Sequence, residues 1–208
     1  VDTPRLRQHV LTSGPADGEP VVLIHGNFSS ALYWEEQMLA LTGAGFRCVA
    51  PDLRGYGWTE DKLIDATRGY RDWSDDLHEL VSALELPPFH LVGWSAGAGT
   101  VYRYVIDHPE MLRTVTLQAP VSIYGFGGTK DLEGTPCYED CAGSGGGVVN
   151  PVFVQRVQMQ DRGTDDPNSP LNVMRGFYYK APFECRREDD FLTGALQEKT
   201  GGDRYPGD

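Results

Sequence analysis

The chain has 208 residues, 40% of them hydrophobic and 23% charged. That is enough for a domain with its own core and too apolar for a disordered chain. Thirty acidic residues against 18 basic ones give a net charge of −12, which works against nucleic acid or an anionic membrane surface as the main partner. No run of about 18 apolar residues occurs, so no membrane span is expected, and the first ten residues lack the apolar stretch of a secretion signal.

Residues 5–12 read as a strand, and Asp17-Gly18 marks a turn. VVLIHG, residues 21–26, is a short continuous apolar run, as suits a parallel strand covered on both faces. Ser29 or Ser30 is placed to cap a helix over about residues 32–41. FRCVAPD at 46–52 is a second buried strand, followed by a glycine-punctuated loop. Trp73, Leu77, Leu80, Val81 and Leu84 recur at helical spacing, with Pro87-Pro88 as the stop. Residues 89–95 read as a third strand, AGAGTVYRYVIDHPE as a helix, and residues 113–120 as a fourth strand.

Strands alternating with helices imply a mostly parallel α/β sheet with right-handed crossovers over residues 1–120. The pattern then stops. Residues 125–147 hold eight glycines and read as a long loop. Three helix-compatible pieces follow within 148–200.

Of the four cysteines, Cys48 sits in an apolar run and reads as a buried thiol. Cys137 and Cys141 are open to a metal or a local disulfide, but no histidine or further close cysteine completes a tetrahedral set. The default expectation is reduced thiols in a cytoplasmic protein, with no metal and no cofactor. Asp75-Asp76 reads as a solvated helix face. Asp52 and Arg54 read as braces of the turn after the second buried strand. Trp34, Trp58 and Trp73 read as packing residues.

One motif carries chemistry. Gly93-Trp94-Ser95-Ala96-Gly97 follows an apolar strand and opens a helix rich in small residues. A sharp strand-to-helix bend needs small residues two before and two after its centre, and it lifts the central hydroxyl, Ser95 Oγ, above the end of the sheet. An oxyanion there needs two backbone N–H donors aimed at one point. Ala96 supplies one, and Asn27 of His25-Gly26-Asn27-Phe28 is the candidate for the other. His25 is a possible base, but its place at the strand end fits a brace for the loop better. Trp94, Phe28 and Tyr124 are the candidate substrate contacts.

VVLIHGNFSS, VAPDLRGYG, LVGWSAGAG, a helix ending DHPE and the strand TVTLQAP, in that order over residues 5–120, resemble the α/β-hydrolase superfamily. The branch that matches best holds epoxide hydrolases, haloalkane dehalogenases, cofactor-free haloperoxidases and small esterases. The resemblance implies a helical cap, inserted after the sixth strand, at residues 121–208. Serine at the bend, where the first two of those enzymes carry aspartate, implies hydrolysis of a carboxylic ester or lactone through an acyl-enzyme. A C–C bond hydrolase or a cofactor-free haloperoxidase would use the same machinery. A non-catalytic binder of a hydrophobic ligand on the same fold is the rival from another class.

The chain departs from that pattern in one respect. The triad order of the family places the acid and then the histidine after the serine, yet none of the five histidines, His9, His25, His78, His90 and His108, lies after residue 108. Residues 111–130 contain no Asp or Glu before Asp131. The expectation is an N-terminal part of a larger hydrolase. A C-terminal remainder, as further chain or a second polypeptide, would supply the last strands, the acid and the base.

Overall fold

A computed structural model describes residues 1–65, 68–123, 131, 133, 135, 150–180 and 182–201. Its described strands are β1 (Val10–Ser13), β2 (Pro20–Ile24), β3 (Arg47–Pro51), β4 (Phe89–Trp94) and β5 (Leu112–Gln118). They form one sheet in the order β1-β3-β2-β4-β5. β1 pairs antiparallel with β3, and every other pairing is parallel. The helices are α1 (Glu35–Gly43), entered through a 3-10 turn at Ala31–Trp34, α2 (Arg71–Ala83), α3 (Gly97–Asp107), α4 (Pro151–Gln158), α5 (Pro170–Phe177) and α6 (Glu188–Ala195).

The unbroken apolar run of β2 has the cause expected of it. Successive side chains point to opposite faces of a sheet. Val22 and Ile24 pack with Trp73, Leu77, Val101 and Tyr104 under α2 and α3. Val21 and Leu23 pack with Trp34, Met38 and Cys48 under α1. The Cys48 thiol is buried, as expected.

Local differences from the sequence reading have physical reasons. The first strand is only four residues long, because residues before it turn back on themselves through an Asp2–Arg7 bridge and a Thr3 N–H bond to the Leu6 carbonyl. Helix α2 ends at Ala83, before the prolines. Glu85 adopts a left-handed φ of 51°, and the Leu86 N–H bonds back to the Val81 carbonyl at 3.0 Å, closing the last turn. Asp76 is not solvated. It is buried in a bidentate ion pair with the Nε–Nη2 edge of Arg54 (2.7 and 2.7 Å) and with Arg5 (2.6 Å), because α2 turns this residue inward beside Leu77. Trp58 is half-exposed beside His9 rather than packed.

Helices α4 to α6 follow the three helical pieces read from the sequence. Asn150 and Ser169 cap α4 and α5 with their side chains, each followed by a proline at the first helical position. Phe153, Val157, Met174, Phe191 and Leu192 bury a second core together with Phe28, a residue of the loop after β2. By contrast, β5 is exposed along nearly its whole length, including Val115 and Leu117. Parallel strands are ordinarily covered on both faces. Tyr124, Phe126, Cys137 and Cys141 lie outside the described residues, as does almost all of the glycine-rich stretch.

Candidate active site

Strand β4 delivers Ser95 to the mouth of the sheet, and α3 starts two residues later. Ser95 has φ +54°, a left-handed conformation that costs a non-glycine residue of order 1 kcal/mol or more. Its surroundings hold it there. The Ser95 N–H donates to the Gln118 carbonyl at 3.0 Å. The Ser95 carbonyl accepts from Ala98 at 3.0 Å and from Val121 at 3.1 Å. The bend is thus clamped to the end of β5 as well as to the first turn of α3. The bend also requires Gly97. A Cβ there would run into the His25 carbonyl and stand 2.8 Å from the Ile24 carbonyl, so α3 packs directly on the end of β2.

The loop after β2 closes against the same point. A Cβ on Gly26 would stand 2.9 Å from Ser95 Cβ. Asn27 follows, and among the described residues neither its N–H nor that of Ala96 has a hydrogen-bond partner. Five described non-glycine residues have a left-handed φ, and three of them, Phe28, Ser95 and Ala119, belong to this constellation. Such clustering is typical of functional sites.

His25 lies wholly inside the protein and braces this loop. Its Nε2 accepts the Leu53 N–H at 3.0 Å, so that nitrogen carries no proton. Nδ1–H then donates to the Gly26 carbonyl at 2.8 Å, which Ser29 Oγ also reaches at 2.6 Å. Burial holds the His25 pKa below its ordinary value, so the ring is neutral. The Gly26 carbonyl and the Asn27 N–H share one peptide plane and point opposite ways. Fixing the carbonyl therefore aims the amide.

The other histidines are engaged elsewhere. His9 pairs with Asp52 at 2.7 Å. His78 stacks on His108 at 3.7 Å. His90 bonds Thr114 at 2.7 Å and faces Glu19. No described side chain hydrogen-bonds Ser95 Oγ. Asp52 is a brace. Burial pushes its carboxyl up, but the hydrogen bond from His9 and the N–H groups of Ala31 and Trp58 outweigh that and hold it below the usual carboxylate range.

Beside the bend lies a cavity of about 490 Å³, lined by the aromatic side chains of Tyr33, Trp34, Trp94, Tyr178 and Phe191 and by polar ones, among them Gln118, Glu36, Glu184 and Arg186. Trp94 meets Tyr178 edge-on at 5.2 Å, and Tyr33 stacks on Phe191 at 4.3 Å. Phe28 does not line this cavity. Its left-handed backbone turns the ring into the helical core, edge-on to Phe153 at 4.7 Å.

The sequence does not show the hydrogen bonds that two tyrosines make to the Asn27 loop. Tyr56 donates to Asn27 Oδ1 at 2.7 Å, and its position between Gly55 and Gly57 is the only signal for it. Tyr178, from the end of α5, is legible as aromatic surface of the cap beside Phe177 and Tyr179, and as part of the cavity lining, but not as a donor to the carbonyls of Asn27 (2.8 Å) and Phe28 (3.1 Å). Glu198 was missed as well. It is buried, its Oε1 has no partner, and burial raises its pKa well above the ordinary value. Among the described residues no cluster of three metal-ligating side chains occurs.

A family model described as the alpha/beta hydrolase fold matches residues 19–133. The chain belongs to this family. Among curated alpha/beta hydrolases and their kin, a non-heme chloroperoxidase of Streptomyces lividans is 38% identical over 92 residues, covering 44% of this chain and 33% of that protein. A 2-hydroxymuconate semialdehyde hydrolase of Pseudomonas sp. is 27% identical over 166 residues, 79% of this chain and 54% of that protein. The chain therefore spans between a third and about half of these relatives. An esterase structure from Exiguobacterium antarcticum superposes on 93% of this alpha/beta hydrolase chain and 65% of its own, with a TM-score of 0.68 at 21% identity, which shows the fold alone.

Proposed function

We propose that this alpha/beta hydrolase is a serine hydrolase that cleaves a hydrophobic carboxylic ester or lactone through an acyl-enzyme. The observation that carries the reading is Ser95 held left-handed at the strand-to-helix bend, beside two unengaged backbone amides. Ser95 Oγ attacks the carbonyl carbon and gives up its proton to a base. The N–H groups of Ala96 and Asn27 hold the negative charge that develops on the carbonyl oxygen. The alcohol departs with the proton. Water then attacks the acyl-serine, releasing the acid and restoring the hydroxyl. Trp94 and the aromatic cavity receive one arm of the substrate, and α4–α6 act as the cap over it.

All five histidines are committed elsewhere, so base and acid come from polypeptide outside this segment. The place of β5 at the end of the described sheet, with its side chains exposed, supports this reading, since further strands would pair along its edge and their helices would pack on its faces. No cofactor or metal takes part in the proposed chemistry. Among the described residues the thiols of Cys48 and Cys185 are unpaired. No described helix is long and apolar enough to cross a membrane.

The match to a semialdehyde hydrolase over 79% of the chain favours a second reading. The same serine and amides would then serve a C–C bond hydrolase. The test is turnover of p-nitrophenyl esters and of a vinylogous diketone by the complete enzyme, with and without Ser95→Ala. Loss of at least a thousandfold in either activity supports the corresponding reading. Unchanged turnover of both by the variant overturns the nucleophile assignment.

A further inference from the structure

We propose that Tyr178 is a positioning residue for the oxyanion loop, so that the cap sets the rate of acylation as well as the choice of substrate. This rests on the reading of Asn27 as an oxyanion donor. The geometry comes from both sides of the loop. Beneath it, His25 and Ser29 hold the Gly26 carbonyl. Above it, one hydroxyl on the last turn of α5 spans two successive carbonyls, those of Asn27 and Phe28, at 2.8 and 3.1 Å. Two adjacent carbonyls face one donor because Phe28 is left-handed, with φ +44°.

That backbone state is unfavourable for phenylalanine and persists only while its surroundings enforce it. Two restraints do so. The Phe28 ring is locked among Phe153, Met174 and Leu192 of the cap, and the Tyr178 hydroxyl ties the main chain. Burial, aided by the nearby Glu198, raises the Tyr178 pKa far above its ordinary value, so the hydroxyl stays protonated and remains a donor throughout the working range. The Tyr178 ring is fixed in turn by edge-on contacts with Trp94 and Tyr33. A shift of α5 is thereby carried to the Asn27 peptide, one residue from the wall of the reacting centre.

The test removes only the hydroxyl, by Tyr178→Phe in the complete enzyme, with two readouts. Hydrogen exchange of the peptide spanning residues 24–30 is expected to quicken about tenfold or more, because the loop loses a hydrogen bond and its restraint. Labelling of Ser95 by a fluorophosphonate is expected to lose about 10- to 100-fold in the maximal rate, with the probe concentration for half-maximal rate within twofold of wild type. A merely structural role would lower melting temperature and leave that maximal rate untouched. Unchanged exchange over residues 24–30 overturns the proposal whether or not the serine reacts. Exchange that quickens with labelling unaltered also overturns it. A wild-type enzyme that fails to label, with exchange still quickened, refutes the hydrolase reading and leaves the loop restraint standing.

Discussion

Replacing His25 with alanine separates a brace from a base. The substitution leaves the Leu53 N–H, in a residue only 2% exposed, without its acceptor. An orphaned buried donor costs about 1–3 kcal/mol. The imidazole-sized void beside Tyr56 adds roughly 1–2 kcal/mol. The Gly26 carbonyl keeps Ser29 Oγ, so the loop is not released altogether. The expected loss is about 2–5 kcal/mol, which for a chain of this length lowers Tm by roughly 5–15 °C. Far-UV circular dichroism on heating at pH 7.5 measures it.

The pH dependence has a definite sign. Burial lowers the folded-state pKa of His25, so on acidification the unfolded chain takes up its proton first. The stability contributed by the neutral ring is therefore complete above the ordinary histidine pKa and falls away as pH drops below it. The Tm gap between wild type and His25→Ala should narrow from pH 7.5 to pH 5.5. His9 has the opposite sign, since its hydrogen bond to Asp52 raises its pKa, but it is common to both proteins and cancels in the comparison. A variant that melts within 2 °C of wild type yet no longer labels at Ser95 would refute the brace and restore His25 as the base.

Two more perturbations read the framework under the site. Asp76→Ala leaves the Arg54 guanidinium inside the protein without its bidentate partner and should cost about 3–5 kcal/mol in urea unfolding; a loss below 1 kcal/mol would mean the pair is solvated after all. Glu198→Gln should raise Tm at pH 8 by a few degrees and leave it unchanged at pH 4. Burial raises the folded-state pKa, so the wild-type chain gains more by ionising in the unfolded state as pH rises, and its stability drops. A Tm difference that does not vary with pH would show that Glu198 is ionised in the fold.

Much of this protein was legible in its residues, for reasons that differ from one feature to the next. The strands showed because β2 and most of β3 are buried on both faces, which leaves an unbroken apolar run in the sequence, whereas β4 buries alternate residues, Phe89, Leu91 and Gly93. The bend at Ser95 showed because its close approaches exclude all but the smallest residues at fixed offsets. The end of α2 did not show, because Glu85 there is left-handed and nothing marks glutamate as a helix terminator. Asp76 was misread for a related reason: its partners, Arg5 and Arg54, stand 71 and 22 residues away. The Tyr178 contact spans about 150 residues, and Tyr179 stands beside it in the chain, so only tertiary packing distinguishes it.

The strand least sheltered from solvent is also the one that grips the reactive bend. Gln118, the last residue of β5, and Val121, three residues beyond it, hold both main-chain polar groups of Ser95, while Val115 and Leu117 a few residues earlier lie open. The strand whose side chains are most open to solvent thus also fixes the main chain at the centre of the bend.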